Sequence, residues 1–263
     1  MHPLAREYLV EKIPSEELPP MTYRRQITAA VLATGALLGA GAPPARAQAD
    51  AAAPQVVLPL PATPPKGAVV LFSGKADELK RNWLKRYSTE PANWLVGKDG
   101  VLSPQRSDIV TREQYGDFYL HVEFRCPTPG PDGKKIGGNA GVGLQGRYEV
   151  QIYGSYGDTP ESHNAAALYS QTPARVIASR PSGQWESYDI VFRAPRFDAS
   201  GAVTEKPRAT VFQNGILVQN NTEFTGMTGI QYGEFKTMAP TGPIVLQGDH
   251  DPVQFRNIWI VPL

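Results

Sequence analysis

The chain has 263 residues, with 26 Lys plus Arg against 25 Asp plus Glu, a formal charge of +1 and a pI near 7.8. That balance excludes the basic footprint needed to hold nucleic acid or an anionic membrane surface. With 25 Gly and 25 Pro placed between short runs of Val, Ile, Tyr and Phe, the composition also excludes a helical bundle and reads as all-β.

Residues 1–20 are charged and end in Pro19-Pro20, and a second methionine follows at Met21. From Met21, Arg24 and Arg25 precede an apolar stretch from Ile27 to about Ala42, and Ala45-Arg46-Ala47 precedes Gln48. These are the three parts of a secretory signal with its start at Met21, which predicts a secreted or periplasmic protein. Thr34, Gly35, Gly39 and Gly41 dilute the stretch below the ~20 apolar residues of a membrane span, so no span is expected in the mature protein. The arginine pair is compatible with twin-arginine export, but its flanks fit that signal badly. Residues 1–47 are therefore read as extension and signal, 48–66 as an Ala/Pro-rich linker, and 67–263 as one folded domain.

Within that domain, Val69 to Phe72 is the first expected strand. From Phe118 to Cys126, Phe118, Leu120, Val122, Phe124 and Cys126 alternate with Tyr119, His121, Glu123 and Arg125, so one face is core and the other wet or functional. Cys126 is assigned to the core, and as the chain's single cysteine it rules out an internal disulfide. Further strands are expected over Gly141–Gln145, Tyr148–Tyr153, Ala166–Tyr169, Tyr188–Phe192, Ala209–Phe212, Ile216–Val218, Ile244–Gln247 and Val253–Ile260. Asn214-Gly215 is a strong hairpin signal. No long amphipathic helix interrupts the series. Many short strands in one domain mean a sandwich or jelly roll of two face-to-face sheets.

The chemistry concentrates in a few places. Along residues 147–153, Arg147, Glu149, Gln151 and Tyr153 share one face and Tyr148, Val150 and Ile152 the other. A polar and aromatic row of that kind suits sugar hydroxyls and C–H faces; the plain alternative is a solvated outer face. The turn Gln247-Gly248-Asp249-His250-Asp251 collects groups that transfer protons or bind a cation. Asp249, His250 and Glu149 are the candidate metal ligands, for a hard divalent cation rather than zinc, whose Cys/His spacing is missing. His163 is as compatible with solvent as with function, and His121, inside a strand, reads as a packing or surface residue.

Several segments together resemble one family, the 3-keto-disaccharide hydrolase domain. They are Leu71-Phe72-Ser73-Gly74-Lys75, Trp94 with Asp99-Gly100, and Thr111 with Tyr115, Asp117 and Phe118. They continue with Asn139-Ala140-Gly141-Val142, Tyr148-Glu149-Val150-Gln151-Ile152, Gly183-Gln184-Trp185, Asn214-Gly215, Leu246-Gln247-Gly248-Asp249-His250 and Phe255-Arg256-Asn257-Ile258. The resemblance implies a concanavalin-A-like jelly roll of two antiparallel sheets, with the ligand on the concave sheet. Members typically read Asn-Ser-Gly at 139–141 and often Gly at Asp251, so this chain departs from them at Ala140 and Asp251.

The substrate so implied is an oxidised (3-keto) disaccharide or glycoside, with a sugar 3-dehydrogenase as the upstream partner. A retaining glucanase needs two carboxylates about 5–5.5 Å apart. Here the same-face neighbour of Glu149 is Gln151, an amide that is neither nucleophile nor acid. A C3 ketone removes the need for a second carboxylate, because it acidifies C2–H and the C1 oxygen leaves by elimination. One base, one acid and an enolate stabiliser, either a cation or aimed donors, then suffice. Either Glu149 or His250 is expected to take the C2 proton or activate water, with the other as acid or ligand. Asn139, Arg147, Gln151, Tyr153, Gln247 and Arg256 are expected around the sugar, and Trp185 as a stacking platform or a core residue. A non-catalytic carbohydrate-binding module and a conventional glycoside hydrolase using Asp249 or Asp251 are the competing readings.

Overall fold

A computed structural model describes Leu60 and residues 62–130, 137–228 and 235–263. The signal assigned to 1–47, and the linker up to residue 59, lie outside the described residues.

In chain order the elements are β1 (Val69–Phe72), α1 (Ala76–Asn82), β2 (Trp83–Lys85), β3 (Leu95–Val96), β4 (Leu102–Ser103), β5 (Ile109–Thr111), β6 (Phe118–Arg125) and β7 (Ala140–Leu144). They continue with β8 (Tyr148–Ile152), β9 (Glu186–Arg193), β10 (Arg196–Phe197), β11 (Val203–Glu205), β12 (Arg208–Gln213), β13 (Ile216–Glu223), β14 (Val245–Leu246) and β15 (Gln254–Pro262). A large antiparallel sheet runs β13-β12-β9-β6-β15-β4-β3, with β1 also paired to β15, and a smaller one runs β2-β5-β14-β7-β8. The remaining pair, β10-β11, stands apart.

Alternation decides which side chains meet between the two sheets. Phe118, Leu120, Val122 and Phe124 of β6, with Ile190 and Phe192 of β9, are fully buried on the large sheet. Val142, Leu144, Tyr148, Val150 and Ile152 answer them from the small one. Phe192 bridges the layers, 5.1 Å from Phe118 and 5.7 Å from Tyr148 ring to ring. Each such side chain contributes roughly 1.5–3 kcal/mol on burial, which is how a fold without a disulfide is held. Cys126 is a free thiol in this core, and burial pushes its pKa up to about 12.

Local chemistry explains the exceptions. Asn214 and Gly215 take φ of 53° and 81°, the double left-handed turn that a two-residue hairpin requires between β12 and β13. The strand expected over Ala166–Tyr169 is reduced to isolated bridges from Leu168 to Val150 and Thr172. The left-handed backbone at Ala166 and Ser170 (φ 60° and 59°) breaks extension on both sides. In β15 a bulge sets Asn257 and Ile258 against the single residue Val122, between the pairs Arg256↔Glu123 and Trp259↔His121. Asn257 takes φ 46° there, and Arg256 and Trp259 stay on the outer face of the large sheet while Ile258 turns into the core.

Candidate active site

Because Tyr148, Val150 and Ile152 fill the core, Glu149 and Gln151 project from the outer face of the small sheet. Their partners across β7 are Gly143 and Gly141, so the neighbouring strand presents backbone instead of side chains. The absence of a Cβ is required: one added at Gly141 would overlap the Glu149 carboxylate. Both Glu149 and Gln151 are only 2% exposed. With its amide nitrogen turned to the acceptors around it, Gln151 donates to Glu149 Oε1 and to Ala140 O, each at 2.9 Å. Its oxygen then faces the Asn139 side chain 3.1 Å away. The carboxylate is thus oriented by an amide, and the amide by a second one. Gln247, also buried, joins this floor through its N–H to Gly141 O (3.1 Å).

The His250 turn is fastened beside this row. Gly248 N donates to Asp108 Oδ1 (3.0 Å), and Asp108 is itself paired with Arg86 (2.5 Å). Burial raises the Asp108 pKa against those partners. At the other end of the turn, Asn139 N donates to Asp251 Oδ2 (2.8 Å) and Asp251 N to Asn139 O (3.1 Å). A chain of contacts therefore runs Asp251, Asn139, Gln151, Glu149. His250 itself is exposed and lies 3.5 Å from Asp249. Both line an open groove of about 420 Å³ with Arg106, Gln105 and Asp251.

Four expectations need correction. Arg147 does not face a sugar: its guanidinium donates to the carbonyls of Thr237 (2.5 Å), Gln145 (2.7 Å) and Thr241 (3.3 Å), with the Phe235 ring 4.9 Å away. It clasps the segment around 235–241 to the β7–β8 turn. Trp185 and Arg256 sit on the outer face of the large sheet, across the core from Glu149, since Arg256 pairs in register with Glu123 and its guanidinium lies 4.1 Å from the Trp185 ring. The proposed metal set is not brought together either. Among the described residues no group of three or more His, Cys, Asp or Glu can hold a metal ion. β14, which leads into the His250 turn, is separated from β8 by β7. Tyr153 stays near the row, its ring against Gly137, where a Cβ would come within 2.8 Å of the phenol oxygen.

A cluster that the sequence reading passed over covers the outer face of the large sheet. His121 Nδ1 lies 2.7 Å from Asp189 Oδ1 and its Nε2 3.4 Å from Glu123 Oε1, while Tyr119 donates to Asp189 (2.7 Å). Glu123 also accepts from Arg256 Nε, Asn257 Nδ2 and Ala62 N at 2.7, 2.7 and 2.9 Å. Burial works against charge in both groups. For His121 the two carboxylates outweigh it and raise the pKa; for Glu123 the donors bring the pKa down to about 2. His121 and Glu123 have no exposed surface, so this network is structural. Its trace in the sequence is the second alternating set, Tyr119, His121, Glu123 and Arg125.

Two antiparallel sheets with an oriented carboxylate on an outer face define a concanavalin-A-like jelly roll of the glycosyl hydrolase-like or carbohydrate-binding class. The chain belongs to the 3-keto-alpha-glucoside-1,2-lyase-like domain family, which it matches over residues 67–261. It is similar to a protein of Parabacteroides distasonis ATCC 8503, provisionally assigned as a glycosyl hydrolase and solved at 2.13 Å. The two are 34% identical, with 76% of this chain and 86% of that one covered and a TM-score of 0.65. A second protein of that organism, solved at 1.70 Å under the same provisional assignment, shares the fold at 18% identity. It covers 75% of this chain and 94% of its own, with a TM-score of 0.54. No protein in the curated set matches. No described helix is long and apolar enough to cross a membrane.

Proposed function

We propose that this protein cleaves the glycosidic bond of 3-keto-glycosides by removing the C2 proton. The observation that carries the reading is the Glu149–Gln151 pair on its glycine floor, where one carboxylate is oriented by an amide on the same strand face. Gln151 cannot act as nucleophile or acid, so a double displacement using these two β8 side chains is closed, whereas abstraction of an acidified proton needs one base.

In this reading Glu149 takes the proton from C2, the electron pair passes into the C3 carbonyl as an enolate, and its return expels the C1 oxygen. His250, at the end of the same sheet, gives that oxygen a proton. The products are the free alcohol and a sugar unsaturated between C1 and C2. Addition of water across that bond completes a net hydrolysis. Asn139 and Gln247 are assigned as donors to the sugar oxygens, including the developing enolate. The ketone is supplied by a sugar 3-dehydrogenase acting first, and the sequence of residues 21–47 directs the protein to a secreted or periplasmic location.

The Glu149→Gln variant is expected to lose turnover of a 3-keto-glucoside by about 10²–10⁴-fold with an unchanged fold, followed by mass spectrometry of the products. Full retained activity discards the assignment. His250→Ala is expected to slow release of a sugar alcohol by about 10²-fold or more while sparing a nitrophenolate, which departs without a proton. Equal loss on both leaving groups removes His250 as the acid. Binding of unoxidised sugars with no turnover of the keto compound favours a carbohydrate-binding module.

A further inference from the structure

The outer face of the large sheet holds a second group of side chains that this reaction does not use. Arg125 of β6 pairs in register with Gln254, one step diagonally from the pair Glu123↔Arg256. Trp185, just before β9, lies between these strand ends. Its ring is 4.7 Å from the Arg125 guanidinium and 4.1 Å from that of Arg256, and its carbonyl accepts from Arg180 Nη1 at 2.9 Å.

Two guanidinium groups, those of Arg125 and Arg256, are therefore fixed around one indole, and their counter-charges do not match them. Arg256 has Glu123, but that carboxylate also serves His121, Asn257 and Ala62 N. Arg125 pairs with no carboxylate among the described residues. Its Nε and Nη2 both donate to the neutral Gln254 Oε1, at 3.0 and 2.5 Å, and Gln254 is held in turn by its Nε2 on Ser103 Oγ (3.2 Å). Like charges held together without matching counter-ions repel, and the repulsion is relieved by an anion from solution. Arginines locked by a ring and an amide present their remaining N–H groups in a fixed planar fork, which matches a carboxylate.

Arg125 also forms one wall of an open cleft of about 470 Å³, with Thr128, Gly183, Pro252 and Gln254 along the rest. That volume suits about one sugar ring. We infer that this cleft is a second glycan site which takes the carboxylate of an acidic sugar on Arg125, with the Thr128 hydroxyl available to the ring hydroxyls. The choice of a sugar rests on the carbohydrate reading above; the choice of an anion rests on the arginines alone. The cleft meets the groove beside His250 at Pro252, which lines both, but Glu149 does not line the cleft, so its occupancy does not require Glu149.

The test is calorimetric titration of the full chain with tetragalacturonate, with neutral cellotetraose and with sodium sulfate, at ~20 and ~200 mM salt. The expected result is binding of the uronate but not of the neutral glucan, weakened severalfold by salt. Arg125→Ala should lower the affinity by about tenfold or more, Arg125→Lys by less, and Glu149→Gln not at all. Circular dichroism verifies the fold of each variant, and Arg125→Gln replaces Arg125→Ala if that variant is unfolded. Absence of uronate binding, or binding that survives loss of the Arg125 charge, overturns the proposal. Sulfate binding as tight as the uronate overturns the sugar part. None of these outcomes depends on turnover of a 3-keto-glycoside, so failure here and failure of the proposed reaction are separable.

Discussion

Glu186 is the residue that departs furthest from its strand's pattern. It lies opposite Phe124 in register, so its side chain turns to the core side of β9, and it is 1% exposed. Arg180 N, Gln213 Nε2 and Asn214 Nδ2 all donate to Oε2, at 3.1, 2.9 and 3.1 Å. Burial nevertheless dominates and raises its pKa from the ordinary 4.5 to about 7. A carboxyl with a raised pKa means that the folded state holds the proton more tightly than the unfolded state does. Its contribution is therefore full below 4.5 and declines as pH rises through 7. Glu186→Gln is expected to remove that decline, so its melting temperature gains on the wild type between pH 5 and pH 8. A constant difference across that range contradicts the assignment. Glu123 works in the opposite direction: with a pKa near 2, its contribution is present above 4.5 and lost as pH falls toward 2. Truncating it to Ala leaves Arg256 and His121 facing a gap and should cost about 3–5 kcal/mol, read as a lower urea midpoint. Nothing in the sequence could have set these two glutamates apart, because the difference lies in which neighbours the fold delivers.

Among the elements, β7 and β15 show what local pattern does and does not encode. The alternation of β6 and β8 and the Asn214-Gly215 turn are written in the residues themselves, and the structure reproduces them nearly to the residue. Sheet membership is not written there. Trp185 and Arg256 belong by character to a sugar site, yet strand pairing carries them to the large sheet, and a distance along the chain cannot reveal that. Arg147 failed for another reason, since the segment around 235–241 that occupies it comes from far along the chain. Gly141 and Gly143 of β7 are plain in the sequence, but their purpose needed the register with Gln151 and Glu149. Gly141→Ala tests that purpose. The added methyl displaces the Glu149 carboxylate from its contact with Gln151, and turnover of a 3-keto-glucoside should fall by about 10²-fold, as it does when a positioned group is moved. An unchanged rate would show that the open strand is not needed.

At the scale of the molecule, the sandwich offers two outer faces with different chemistry: a nearly buried carboxylate on one and an excess of arginine on the other. A glycan held by Arg125 would keep the reactive face near further substrate, a gain in effective concentration without any new catalytic contact. The fold class was readable from composition and strand spacing alone. The division of labour between faces was not, since it depends on which sheet each polar row joins. What the account of function depends on most is that the hydrogen at C2 of the sugar is removed during cleavage. The direct measurement uses a 3-keto-glucoside carrying deuterium at C2, with mass spectrometry of the released sugar in ordinary water. Loss of the deuterium at the rate of cleavage, absent in the Glu149→Gln variant, is the predicted result. Release of a sugar that still carries its deuterium would contradict the account.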